Sequence, residues 1–173
     1  DEGFTYELRD AQFYTLRTVP HTGMAIGVDL GDEQDIHPPN KLPLALRLAR
    51  LALAIHYGCP WSPTGPLYRM VHFSNGRATV YFDYAEEGLV ARGDSLNGFT
   101  IAGADEVFHP AQATINGSTV VVEAESVPKP VAVRYAWSNT PSLSLWTKGG
   151  LPAAPFRTDN FPLHDETEYR PLP

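Results

Sequence analysis

Apolar and polar positions change their period twice along this chain. Over residues 5–17, Leu8, Ala11 and Thr15 recur at helical spacing, Phe4 and Phe13 add bulk, and Pro20 stops the run, which predicts a helix. Residues 24–30 are short, nearly all apolar and bounded by Gly23 and Gly31, the pattern of a strand buried on both faces. An acidic loop, 31–40, leads into a Leu/Ala-rich run. There Asn40 is a good N-cap, Pro43 falls in the first turn and Gly58 supplies a left-handed stop, so a helix is expected over 41–57. Within it Leu44, Leu48, Leu51 and Ile55 form a stripe that Leu46, Ala49, Ala52 and Leu53 widen. Only the side with Arg47 and Arg50 is expected to face water.

After Gly58 the period shortens to two. Pro60, Pro63, Gly65 and Pro66 read as a linker, and β-rich runs follow at 67–73, 77–84, 99–102, 106–115, 118–125 and 131–137. Ser74-Asn75-Gly76 signals a hairpin, and Asn116-Gly117 reads as a two-residue type I′ turn. Strands at this spacing predict a β-sandwich or jelly-roll-like unit. Prolines at 141, 152, 155, 162, 171 and 173 argue against regular structure from Thr140 onward, so an extended tail is expected to run over the rest. In it Arg157 and Asp159 would pair and Phe156 would plug a pocket. The chain reads as α+β in three parts: 1–58, a β-rich unit at 59–139, and the tail at 140–173. One strand with two helices is a poor domain, and the first third offers no partner strands.

Composition narrows the classes. With 173 residues and 43% hydrophobic content the chain can bury a sizeable core. Thirteen basic against 20 acidic residues give a net charge of −7 without a basic stripe, which argues against a nucleic-acid partner. No apolar run reaches the ~20 residues that span a bilayer, so no membrane partner is expected. Cys59 is the sole cysteine, which excludes an internal disulfide and a thiolate cluster; a half-buried filler is its expected role. The other histidines, at 21, 56, 72, 109 and 164, show no ligand spacing, so neither metal nor cofactor is expected.

The candidate chemistry lies in the acidic loop, where His37 stands between Asp35 and Pro38. A nearby carboxylate can fix an imidazole's tautomer and stabilise its protonated form during acyl transfer, with Asp35 the near partner and Asp32 the second. The competing reading is a polar loop whose His caps the helix or faces water. Gly93-Asp94-Ser95-Leu96 spells a lipase tetrapeptide, but it falls between two β-rich runs rather than between a strand and a helix. Asn116-Gly117-Ser118 is also a glycosylation acceptor sequence, although the turn is its sharper reading.

Several of these stretches together resemble a known family. Thr22-Gly23-Met24-Ala25, Asp29-Leu30-Gly31-Asp32, Asp35-Ile36-His37-Pro38 and Asn40-Lys41 resemble the last catalytic block of the sialate O-acetylesterase family within the SGNH hydrolases. Leu8-Arg9-Asp10-Ala11-Gln12, Tyr57-Gly58, residues 62–68, residues 131–137 and residues 150–159 agree in order. The resemblance implies a Ser-His esterase that removes O-acetyl groups from sugars, with His37 as general base and Asp35 as orienting carboxylate. The residue three before His37 is Gln34, a departure from the common Asp-x-x-His form. The family's Ser and oxyanion blocks have no counterpart here. The resemblance therefore implies the C-terminal portion of such an esterase: the end of its SGNH domain, a β-rich accessory unit and a tail. The partners would be an O-acetylated sugar and the N-terminal portion of the same esterase, supplied as a second chain or a missing segment. A secreted, periplasmic or lysosomal place is implied on the same ground. Two other readings compete. In one, the β unit is a non-catalytic carbohydrate-binding or structural module using Trp61, Tyr68, Trp137 and Trp146. In the other, Ser95 is the nucleophile for His37 within one chain.

Overall fold

A computed structural model describes residues 4–32, 35, 37 and 39–163. Glu33, Gln34, Ile36 and Pro38 of the loop, and residues 164–173 with His164 and the last two prolines, lie outside the described residues. The first helix, α1 (Thr5–Thr18), buries Phe13 and packs Leu16 against the core. Its N-terminus is capped from far along the chain: the Thr5 amide donates to Asn139 Oδ1 at 3.0 Å. The second, α2 (Leu42–Ile55), has Pro43 in its first turn; Gly58 turns out of it with φ +69°, and the Cys59 amide donates to Leu53 O at 3.1 Å. Its N-cap is Lys41 rather than Asn40 and makes no side-chain cap bond.

Two expectations about this region are corrected. Residues 24–27 form no strand, and Val28–Leu30 is a 3-10 turn. A strand needs a partner ladder, and among the described residues none lies beside this segment. Side chains serve it instead: Arg47 Nη1 donates to Ile26 O, and Thr64 Oγ1 donates to Met24 O at 3.2 Å. The second correction concerns α2, which is turned the other way from the expected one. Arg47, Arg50 and Leu51 face the protein, while Leu42, Leu46, Leu48, Leu53 and Ile55 are 41–65% exposed.

Beyond the linker the chain builds two four-stranded antiparallel sheets. One has the order β1 (Leu67–Ser74), β2 (Arg77–Asp83), β7 (Thr119–Glu123), β6 (Gln112–Asn116). The other runs β10 (Phe156–Arg157), β8 (Ala132–Tyr135), β4 (Phe99–Ala102), β5 (Phe108–Pro110), and a third pair joins β3 (Leu89–Ala91) to β9 (Leu145–Thr147). Alternation places Ala78, Val80 and Phe82 of β2 inside, and these share one buried cluster with Val120, Val122, Ile101, Val133 and Tyr135. Phe13 and Ile26 join the same cluster, so the helical start and the β unit are packed together.

The run expected at 106–115 is two strands in different sheets, because Pro110 has no amide to continue a ladder. Both hairpins form, but the type I′ expectation for Asn116-Gly117 is corrected. Asn75 and Gly76 both have positive φ, 50° and 75°, the type I′ signature, whereas in the β6–β7 turn φ is positive at Gly117 and not at Asn116 or Ser118, the type II′ pattern. The segment after Thr140 is not devoid of regular structure: it supplies β9, β10 and the Trp146–Pro152 bridge. Leu145, Ala153, Ala154 and Phe156 are core residues, the Leu145 amide donates to the Tyr135 hydroxyl at 2.9 Å, and Phe156 stacks on Tyr68 at 5.0 Å.

Candidate functional site

The acidic loop is fixed at its start by an ion pair. Arg47 reaches back from α2 and clasps the Asp29 carboxylate through both nitrogens, at 2.5 and 2.6 Å, with both side chains largely buried. One guanidinium thereby joins the 3-10 turn, the Ile26 carbonyl and the helix. On the next turn of α2, Arg50 Nε donates to Ser62 O at 2.7 Å and ties the helix to the linker. The charge that interrupts a Leu/Ala stripe was the sequence signal for this clamp; its carboxylate partner carried no signal.

His37 is exposed, and its main-chain amide donates to Asp35 Oδ1 at 2.7 Å. That bond closes an Asx-turn, in which a short carboxylate folds the backbone back on itself two residues on. Asp35 and His37 are thus brought together through the main chain. Asp32 is exposed and lines a cleft of about 490 Å³ that runs from Gly27 and Gly31 to the 139–143 segment, with Thr5 and Arg9 also in its lining. Arg9 Nη1 reaches Thr5 Oγ1 and Asn139 O at 3.2 and 3.4 Å, and Arg9 Nη2 donates to Ser138 O; burial lowers its pKa. Sequence reasoning missed this cleft because its walls are more than a hundred residues apart in the chain.

The remaining candidates are dispersed. Ser95 is exposed in the loop between β3 and β4, and its hydroxyl is 2.8 Å from Asn97 Oδ1; a strand rather than a helix follows it. Cys59 is a half-buried free thiol. Among the described residues no group of three His, Cys, Asp or Glu side chains could hold a metal, and no helix is long and apolar enough to cross a membrane. The aromatics do not form one exposed row. Trp146 is buried under Arg92 at 3.7 Å and Tyr68 is stacked on Phe156, while Trp61 is exposed beside Arg50 and Trp137 is half-buried beside Tyr6.

With this geometry in place, comparison with known proteins is informative. No family model and no curated protein matches the chain. The fold is similar to the crystal structure of a carbohydrate acetylesterase from Xanthomonas citri. The TM-score is 0.85, with 42% sequence identity over 90% of this chain and 36% of that one. The chain therefore spans about a third of the length of the solved structure it matches.

Proposed function

We propose that this chain is the C-terminal portion of a carbohydrate O-acetylesterase and that it supplies the catalytic His to a site whose nucleophile lies elsewhere. The match to a carbohydrate acetylesterase is the observation that carries this reading. The outward apolar face of α2, next to the His37 loop, supports the incompleteness: a helix apolar on all sides but two arginines belongs inside a larger domain. In this reading residues 1–58 close an SGNH-type α/β domain, 59–139 are a β-sandwich accessory unit, and 140–173 are the tail, of which 140–163 strap the two together. The same reading implies a secreted, periplasmic or lysosomal place.

His37 removes the proton from a Ser hydroxyl as that oxygen attacks the acetyl carbonyl. The resulting imidazolium returns the proton to the departing sugar oxygen, and water repeats the cycle to release acetate. Asp35 acts as a positioning residue, because the turn it closes fixes the backbone from which the imidazole projects; Asp32 is the second candidate for that part. The test is His37→Ala in the protein assembled with its Ser-bearing portion. Acetyl-ester turnover is expected to fall about a thousandfold or more with folding unchanged. Full activity in that variant would rule out the assignment.

A further inference from the structure

Residues 23–28 have the geometry of a strand without a ladder. Ile26 belongs to the buried cluster and Met24 and Val28 pack against it, whereas Gly23 and Gly27 face α2. A Cβ on Gly23 would lie 3.4 Å from Leu51 Cδ2, and one on Gly27 would lie 3.3 Å from Leu44 Cδ1. Contacts that alternate between two sides are the mark of an extended backbone covered on both faces. In such a backbone successive peptide groups point to opposite edges. The carbonyls of Met24 and Ile26 share one edge, and Thr64 and Arg47 donate to them. Gly23 and Ala25 turn their N–H and C=O groups to the other edge, where none bonds to another described residue. Gly23 is exposed and Ala25 half-buried, so that edge is reachable. A further strand is what its orphan main-chain groups would accept.

The direction of the absent neighbour follows from α2. Gly27 lies against Leu44 in its first turn and Gly23 against Leu51 and Ile55 near its end, so the helix runs back antiparallel to the segment. An extended segment followed by a helix that packs back across it is the first half of a crossover to a parallel neighbour. His37 stands in the loop that leaves the carboxyl end of this segment, the end at which open parallel sheets gather their ligands. We propose that the edge with Gly23 and Ala25 receives a parallel strand from the Ser-bearing portion of the esterase, which brings that strand's own carboxyl-end loop beside His37. The inference rests on the esterase reading for its occupant, and the larger part of the matched acetylesterase lies outside the match. It goes beyond that reading by naming the edge, the direction and a coil-to-strand change on assembly. A second copy of this chain suits the edge less well, because a two-fold axis that bonds an edge to its own copy leaves the strands antiparallel.

Amide exchange followed by NMR tests this without a variant. In the 173-residue chain alone, the Gly23 and Ala25 amides are expected to exchange at close to the free rate. In the chain co-expressed with the Ser-bearing portion, both are expected to slow at least about tenfold, with interchain NOEs from Ala25 in a parallel register. Ala25→Pro removes an edge N–H and is expected to weaken association at least about tenfold. Should that variant not fold, the exchange result on the wild type decides by itself. Unchanged exchange at Ala25 in the assembly, an antiparallel register, or the same protection in a dimer of the 173-residue chain would each overturn the strand addition. So would two folded portions that do not associate. Protection as expected in an assembly that releases no acetate would sink the esterase reading alone. Acetate release with the edge unprotected would sink the strand addition alone.

Discussion

Among the described residues the ion pairs Arg47–Asp29, Arg134–Asp159 and Arg157–Asp10 hold joints of the chain, and they differ in what surrounds them. Asp159 is the most enclosed: its side chain is 1% exposed, clasps Arg134, lies 3.7 Å from Arg157 and accepts the Phe161 amide at 3.2 Å. Asp159→Ala leaves two guanidiniums without that carboxylate and is expected to cost ~3–5 kcal/mol, lowering Tm by about 10 °C in a thermal melt. Asp10 behaves otherwise. It accepts Arg157 Nε at 2.9 Å, yet burial outweighs the attraction of that guanidinium and raises its pKa above 3.8. A raised carboxyl pKa means the folded chain binds the proton more readily than the unfolded chain. Its contribution to stability is therefore present below about pH 3.8 and lost as pH rises through the folded value. Asp10→Asn keeps an oxygen for Arg157, so it is expected to change stability at pH 7 by less than about 1 kcal/mol. The wild type should gain on the variant as pH is lowered toward 4 in urea titrations. The sequence showed Arg157 and Asp159 as a pair. It could not show that the close partners are Asp10 for Arg157 and Arg134 for Asp159, since both pairings join segments distant in the chain.

At the scale of elements, α2 carries the argument. Its existence and limits were legible in Leu/Ala periodicity, Pro43 and Gly58, but its orientation was not. Both of its sides are apolar, so the arginines were the only mark, and charge alone does not say whether a side chain meets water or a buried carboxylate. Asp29 and the Ser62 carbonyl decide the matter. The segment 24–30 shows the complementary limit: an apolar run becomes a strand only when another strand offers it a ladder. The short β3, β9 and β10 were missed because two or three residues display no period. The outward leucines predict a separation of effects. Leu46→Glu, at 60% exposure, should change the melting of this chain alone by less than about 0.5 kcal/mol. If the proposed reading holds, size-exclusion chromatography should show loss of association with a Ser-bearing portion, because the substitution would place a charge in a face that the reading requires to be dry. Unchanged association would mean that this face is not the joint.

For the molecule as a whole, the β unit and the helical start share one core through Phe13, Ile26 and the Tyr68–Phe156 stack, so the part bearing His37 is positioned by the part with the sheets. On the proposed reading, that arrangement would present the His37 loop at the edge of a rigid body to a surface carried on other residues. The most direct test is acetate release from an acetylated oligosaccharide by this chain alone, by the upstream portion alone, and by the two combined. The account predicts background rates for each alone and turnover only for the combination, with the gain abolished by His37→Ala. Hydrolysis by the 173-residue chain alone would contradict it, because the nucleophile would then have to be one of its own residues.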